Sequence, residues 1–282
     1  MMETTLVGYS VQEGVAVIEM NDPPANTYTY RMMQQLDAAI LKARFDSQVH
    51  VLILRGHGEK FFSAGADIGM LSKADPDFKY YFCLHANETL NRLEQTPKLV
   101  IAALNGHAVG GGLEIALAAD IRIARLGGGK VGAPEVHLGV LPGTGGTQRL
   151  ARLLGKARAI ELMVQGGNLS VQEALEVGLL HQALESEGFW DGVLDYTKQF
   201  VPPAGASRAV GHIKRAVHSG LECSSQEGLA LERELQQRLF ESEDAREGLE
   251  AYLEKRKPEF KGRLSHATTR ALPSPPLSPP GI

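Results

Sequence analysis

The segment Leu99-Val100-Ile101-Ala102-Ala103-Leu104-Asn105-Gly106-His107-Ala108-Val109-Gly110-Gly111-Gly112-Leu113-Glu114-Ile115-Ala116 passes from an unbroken apolar run, through three consecutive glycines, into a second apolar run. The first run is far shorter than the roughly 20 residues that span a bilayer and has no polar face, so it reads as a strand buried on both sides. The second reads as a helix. Strand-to-helix alternation recurs on either side of it. Upstream, Leu6 to Val11 and Val15 to Met20 form a hairpin around Glu13-Gly14. Tyr30 to Arg44 is an amphipathic helix with apolar Met32, Met33, Leu36, Ala39 and Ile40. Val51 to Leu54 is a further buried strand, and a helical stretch runs from about Asp77 to Leu93. Downstream come the β run Ile121 to Ala124 and helices near Thr147 to Leu154 and Ala157 to Val164. Strands joined by crossover helices put the chain in the α/β class.

From about Gln199 the pattern becomes helix-rich and charged, with Leu229 to Ser242 and Asp244 to Lys255 helical. Beyond Arg263 the composition turns to Ser, Thr and Pro. The expected organisation is a catalytic core over 1–198, a helical segment over 199–263 and a disordered, Pro/Ser-rich tail over 264–282.

With 282 residues, 43% of them hydrophobic, the chain can bury a sizeable core. A net charge of -4 offers no basic field for a polyanion, so no nucleic acid is expected as a partner. Cys83 and Cys223 lack disulfide or zinc spacing, which fits a reducing compartment and no metal. Neither an export signal at Met1-Met2-Glu3-Thr4-Thr5 nor a membrane span is visible, so a cytoplasmic protein without membrane association is expected.

The glycines before Leu113 place free N–H groups and a partial positive charge at a helix start, an arrangement suited to a phosphate or an oxyanion. The dinucleotide GxGxxG spacing is absent, and neither Gly129-Lys130 nor Gly155-Lys156 is followed by Ser or Thr as a phosphate loop requires, so oxyanion binding gains. A second loop, Phe61-Phe62-Ser63-Ala64-Gly65-Ala66-Asp67-Ile68, has small side chains that let a ligand reach the main chain. Glu114, in the first helical turn, serves either as a complement to the helix dipole or as an acid/base group. Glu135 lies in Val131-Gly132-Ala133-Pro134-Glu135-Val136-His137-Leu138-Gly139-Val140-Leu141-Pro142-Gly143, where it is either a solvated loop carboxylate or the second of a catalytic pair. Asp67 reads better as a turn cap than as an acid. His107 and His137 lack an Asp or Ser partner, Cys83 reads as a small hydrophobe, and Met70, Leu71 and Trp190 read as packing residues, with Met70 and Leu71 candidates for an acyl-pocket wall.

Together, Ala64-Gly65-Ala66-Asp67-Ile68, the block Asn105 to Glu114, Pro134-Glu135 and Leu141-Pro142-Gly143-Thr144-Gly145-Gly146-Thr147-Gln148-Arg149-Leu150 resemble the crotonase, or enoyl-CoA hydratase/isomerase, family from about Leu6 to Arg263. The resemblance implies a spiral of repeated ββα units and a C-terminal helical trimerisation segment, with assembly as a homotrimer or a homohexamer built from two trimers. It implies an oxyanion hole from the N–H groups of Ala66 and Gly111. It also implies a coenzyme A contact along Ala64, Ala66, Asp67 and Ile68, and Glu114 and Glu135 acting on one water, mainly as base and acid respectively. The expected reaction is hydration of a trans-2-enoyl-CoA. The acyl-CoA thioester is the substrate and no cofactor is implied. The alternatives are isomerisation, decarboxylation, dehalogenation or thioester hydrolysis on the same oxyanion hole, or an RNA-binding or inactive relative. Compared with many hydratases, the stretch holding Gly127-Gly128-Gly129 is one residue longer, Ala133 stands in place of a Gln and Gly69 in place of a Lys.

Overall fold

Glu13 and Gly14 take φ of 49° and 80°, the mirror-image turn whose twist matches two flanking strands. They close the antiparallel hairpin of β1 (Val7–Gln12) and β2 (Val15–Met20). The structure is a computed structural model, and it describes residues 4–262. Thr29 caps α1 (Tyr30–Phe45) by accepting from the Met32 N–H, and the helix buries Met32, Met33, Leu36 and Ile40. There follow β3 (Val51–Gly56), β4 (Phe61–Ser63), the single turn α2 (Ile68–Leu71) and α3 (Pro76–Glu94). Next come β5 (Leu99–Leu104), β6 (His107–Val109), α4 (Gly111–Leu117), β7 (Ile121–Arg125) and β8 (Lys130–Gly132). A 3-10 turn over Glu135–Leu138 leads to α5 (Gly146–Leu154) and α6 (Lys156–Gln165). The remainder is β9 (Asn168–Ser170), α7 (Val171–Glu176), β10 (Gln182–Leu184), α8 (Phe189–Lys198), α9 (Ser207–Gly220), α10 (Ser225–Phe240) and α11 (Glu243–Glu254).

The strands form a six-stranded sheet in the order β1-β2-β3-β5-β7-β10 and a four-stranded sheet in the order β4-β6-β8-β9. Apart from the β1–β2 and β8–β9 pairs, neighbouring strands are parallel. Each repeat places its first strand (β3, β5, β7) in the large sheet and its second (β4, β6, β8) in the small one before turning into helix, which is the expected spiral of ββα units. The large sheet is covered on both faces. Ile18, Leu52, Leu54 and Ala102 face the side of α1 and α3, while Val51, Ile53, Ile101 and Ile123 face Phe189 and Val193 of α8. Two-sided burial is why β5 has no polar residue.

Three features differ from the sequence expectations. Phe61 to Ser63 is a strand rather than loop, and the small sheet as a whole was not foreseen. Its strands are three residues long and exist through pairing with distant neighbours. Helix α4 begins at Gly111, two residues earlier than expected, and α7 and α8 fall where no helix was assigned. The tail expected over 264–282 lies outside the described residues.

Helix α9 is anchored by Lys214, whose Nζ lies 2.8 Å from Asp120 Oδ2 and 3.2 Å from the Lys98 carbonyl oxygen it donates to. Lys214 is buried and Asp120 half-buried, the latter also accepting from the Val100 N–H and lying 3.3 Å from His218 Nε2. Lys214→Met removes the buried cation of this cluster and should lower unfolding free energy by about 2 kcal/mol, measured by urea denaturation.

Candidate active site

The loop after β4 is shaped by side chains that hold its main chain. Asn26 Nδ2 donates to the carbonyls of His57 (3.0 Å) and Phe61 (2.9 Å), while Ser63 Oγ donates to the Asn26 carbonyl (2.8 Å) and accepts from the Gly65 N–H (3.1 Å). Tyr28 brackets Ala66 as a short parallel bridge, its N–H donating to the Gly65 carbonyl (2.9 Å) and its carbonyl accepting from the Asp67 N–H (3.1 Å). A bridged residue of this kind turns its own N–H to the opposite side, so Ala66 presents its donor away from Tyr28.

The residue before it packs against the start of α4. Gly65 has φ of 89°, and a Cβ there would stand 2.7 Å from the Gly111 nitrogen. A Cβ on Gly112 would strike the Ser63 carbonyl, and one on Gly111 would overlap the Tyr28 hydroxyl. The glycines are thus required by close approach of two main chains, and a methyl at Gly65 would cover the Gly111 N–H. Gly110, the residue preceding α4, has no side-chain cap to offer. Among the described residues, neither the Ala66 N–H nor the Gly111 N–H has an acceptor.

Glu114 is buried in the first turn of α4, 3% exposed. Its Oε1 accepts from the N–H groups of Thr144 and Gly146, each at 2.7 Å, the latter at the start of α5. Burial pushes its pKa up, and these N–H donors with the Arg149 charge oppose that push. Glu135, at the start of the 3-10 turn, sits differently. Its Oε1 comes within 3.2 Å of where a Gly110 Cβ would lie, and its buried Oε2 has no hydrogen-bond partner among the described residues. Burial, with a contribution from the Glu114 charge, raises its pKa to about 7 against its own backbone N–H. So both carboxyls are pushed toward the protonated form, and Glu114 alone is supplied with backbone donors from another segment that oppose the push.

The other sequence candidates take supporting places. Asp67 caps α2 by accepting from the Met70 N–H. Ala64 is half-buried and Ile68 exposed beside it. His107 Nδ1 accepts from the Lys130 N–H at 3.1 Å, Cys83 Sγ lies 2.7 Å from Lys79 Nζ, and Trp190 lies under the Arg55 guanidinium. Ala133 is buried. Three residues not singled out from sequence belong to the site: Tyr28, Thr144 and Arg149. Arg149 donates to Glu94 Oε2 (2.9 Å) and to the Thr144 carbonyl (3.3 Å). Thr144 and Arg149 stood inside a quoted motif, whereas Tyr28 carried no sequence signal.

A family profile described as enoyl-CoA hydratase/isomerase matches residues 10–263. The chain is 38% identical over 264 residues to a short-chain-enoyl-CoA hydratase of Clostridium acetobutylicum, covering 93% of this chain and all of that one. It is 37% identical over 260 residues to a probable enoyl-CoA hydratase of Bacillus subtilis, covering 91% and 98%. A crystal structure of an enoyl-CoA hydratase from Geobacillus kaustophilus superposes with a TM-score of 0.89 at 44% identity, covering 93% of this chain and 98% of that one.

The raised pKa of Glu135 has a consequence for stability. In the unfolded chain this carboxyl ionises near its ordinary value of 4.5, in the fold near 7, so the unfolded state loses its proton first as pH rises. Stability therefore falls through that window and levels off above it. Glu135→Gln removes this loss: its melting temperature should match the wild type at pH 4 and exceed it at pH 8, as followed by scanning calorimetry. Equal melting temperatures at both pH values would contradict a proton held on Glu135.

Proposed function

The chain belongs to the enoyl-CoA hydratase/isomerase family, and from this premise we propose that it adds water across the 2,3 double bond of a trans-2-enoyl-CoA, with Glu114 as base and Glu135 as acid. The observation that carries the assignment is the unequal treatment of the two carboxyls. Glu114 receives two backbone N–H bonds, and Glu135 keeps an unpartnered oxygen and a pKa near 7. Hydration needs both a group that takes a proton from water and a group that delivers one to carbon.

The thioester carbonyl accepts from the Ala66 and Gly111 N–H groups, which have no other acceptor. Negative charge builds on that oxygen as the enolate forms, and two fixed donors hold it without reorganisation, each contributing about 3 kcal/mol. Glu114 takes a proton from water as its oxygen bonds to C3, and the electron pair moves through C2 to the carbonyl oxygen. Glu135 then gives its proton to C2, yielding the 3-hydroxyacyl-CoA. Coenzyme A lies along Ala64, Ala66, Asp67 and Ile68, where small or exposed side chains leave the main chain open, with Gly111 completing the contact. No resident cofactor is needed for these steps.

We place the enzyme in the cytoplasm as a homotrimer or a pair of trimers. Ile213, Val217 and Leu221 on or beside α9, Phe240 on α10, and Tyr252 and Leu253 on α11 are exposed apolar side chains that a monomer would leave in water. Among the described residues, no helix is long and apolar enough to cross a membrane.

The test is loss of the conjugated enoyl-thioester absorbance with crotonyl-CoA at about 0.1 mM. Water-dependent loss is expected, and its absence would point to isomerisation, decarboxylation or thioester hydrolysis on the same oxyanion hole. Glu114→Gln and Glu135→Gln should each lower kcat by about 10²-fold or more. A near-normal rate in either variant removes that residue from the mechanism.

A further inference from the structure

The reaction outlined above makes no use of a phenol buried beside it. Tyr28 is 2% exposed, and its hydroxyl lies 3.0 Å from Thr144 Oγ1, 116 residues away in sequence. Its ring packs against Gly111 so closely that no side chain fits there, and its other edge meets Phe82 at a centroid distance of 5.9 Å. Packing alone would be served by phenylalanine. A buried hydroxyl costs desolvation unless it is bonded, so its presence points to Thr144.

Thr144 stands between Gly143 and Gly145, the latter at φ of 105°, in a stretch whose own residues restrain it weakly. Three side chains from elsewhere clamp it: Asn87 Nδ2 donates to the Gly143 carbonyl (3.2 Å), Arg149 to the Thr144 carbonyl (3.3 Å), and Tyr28 meets the Thr144 side chain. The Thr144 N–H is one of the two that hold Glu114 Oε1, and its side chain is among the groups that oppose the upward push of burial on the Glu114 pKa. The Tyr28 and Thr144 hydroxyls share one hydrogen bond in which either can donate, and it ties the Thr144 side chain to the buried ring.

We propose that Tyr28 is a positioning residue: its hydroxyl fixes Thr144, and through Thr144 it fixes the orientation and the ionisation of the base Glu114. The same residue brackets Ala66 with its main chain and backs Gly111 with its ring, so one side chain sets the base in register with both oxyanion donors. The proposal rests on the assignment of Glu114 as base.

The test uses Tyr28→Phe and Thr144→Val, which keep shape and remove one hydroxyl each, with Thr144→Ser as the conservative rescue. On crotonyl-CoA at neutral pH, each single removal should lower kcat by about tenfold with KM unchanged. The rate should recover as pH rises, because a base that has lost its hydrogen-bond support ionises later. Thr144→Ser should stay near wild type, and the double removal should be no slower than either single one. Independently of turnover, carbon-13 NMR of glutamate-labelled free protein, assigned with Glu114→Gln, should show the Glu114 carboxyl titrating about half to one pH unit higher in both removals. An unmoved titration, a rate loss equal at every pH or a multiplicative double variant overturns the proposal. If the wild type fails to hydrate crotonyl-CoA while the titration still moves, the functional reading falls and the hold of Tyr28 on Glu114 stands.

Discussion

The structure depends on main chain meeting main chain without side chains between. At the start of α4, Gly65, Gly111 and Gly112 each occupy a position where a Cβ would collide with a neighbouring backbone or with Tyr28, and Gly106 does the same against Lys60 in the turn between β5 and β6. This contact seats the loop after β4 on α4 and brings Gly65, the residue before Ala66, against the Gly111 nitrogen. It also leaves the Ala66 and Gly111 donors unmet, at a cost of roughly 1–3 kcal/mol each if water is excluded. The surrounding parallel sheets, buried on both faces, supply the rigidity that keeps them so. An anion forming on a bound thioester relieves that deficit, which is why an oxyanion, rather than a neutral carbonyl, is the species the site fits best.

Charge is handled by the same economy of partners. Glu114 and Glu135 share apolar surroundings, and burial pushes both toward the protonated form. What separates them is local. Glu114 sits where the loop before α5 and the first N–H of α5 converge, and a positive helix end favours its anion. Glu135 sits on a short 3-10 turn against Gly110, with only its own N–H in support. Two groups of one residue type, both raised by burial, thereby differ in the hydrogen-bond donors each receives. Their mutual repulsion adds to the difference, since whichever ionises first discourages the other.

Legibility in the sequence divided along physical lines. Strands β3 and β5 were readable because two-sided burial demands uninterrupted apolar runs, β7 from a β run broken by Arg122, and the hairpin because Glu13-Gly14 had to adopt positive φ. The glycines and glutamates were readable because close backbone approach and proton transfer restrict residue type. The small sheet was not, since β4, β6, β8 and β9 are too short to carry a period and are specified by pairing across the spiral. Tyr28 was invisible for a related reason. Its neighbours Ala66, Gly111 and Thr144 come from three separate segments, and an aromatic between Thr27 and Thr29 has no local mark of its role. The capping role of Asp67, by contrast, followed from a short acceptor placed before a turn.

The shortness of α4 raises the question of what keeps its first turn in place, because a helix of two turns has little stability of its own. Its amino end is pinned by the glycine contacts. Its carboxyl end is held by Arg122, a buried guanidinium that donates to the carbonyls of Ala116 (3.5 Å) in the last turn and Ala119 (2.8 Å) just beyond it, and ties them to Leu179 (2.9 Å). Clamped at both ends, the helix cannot slide along its axis. Glu114 and the Gly111 N–H lie within one turn of each other on it, so any slip would move the proposed base and oxyanion donor together relative to Ala66 on a different element. Misplacement by about 1 Å is enough to cost on the order of 10²-fold in rate. The buried arginine, distant from any reacting atom, therefore belongs to the machinery as the counterpart of the glycines: they set how close the helix comes, and it sets how far along.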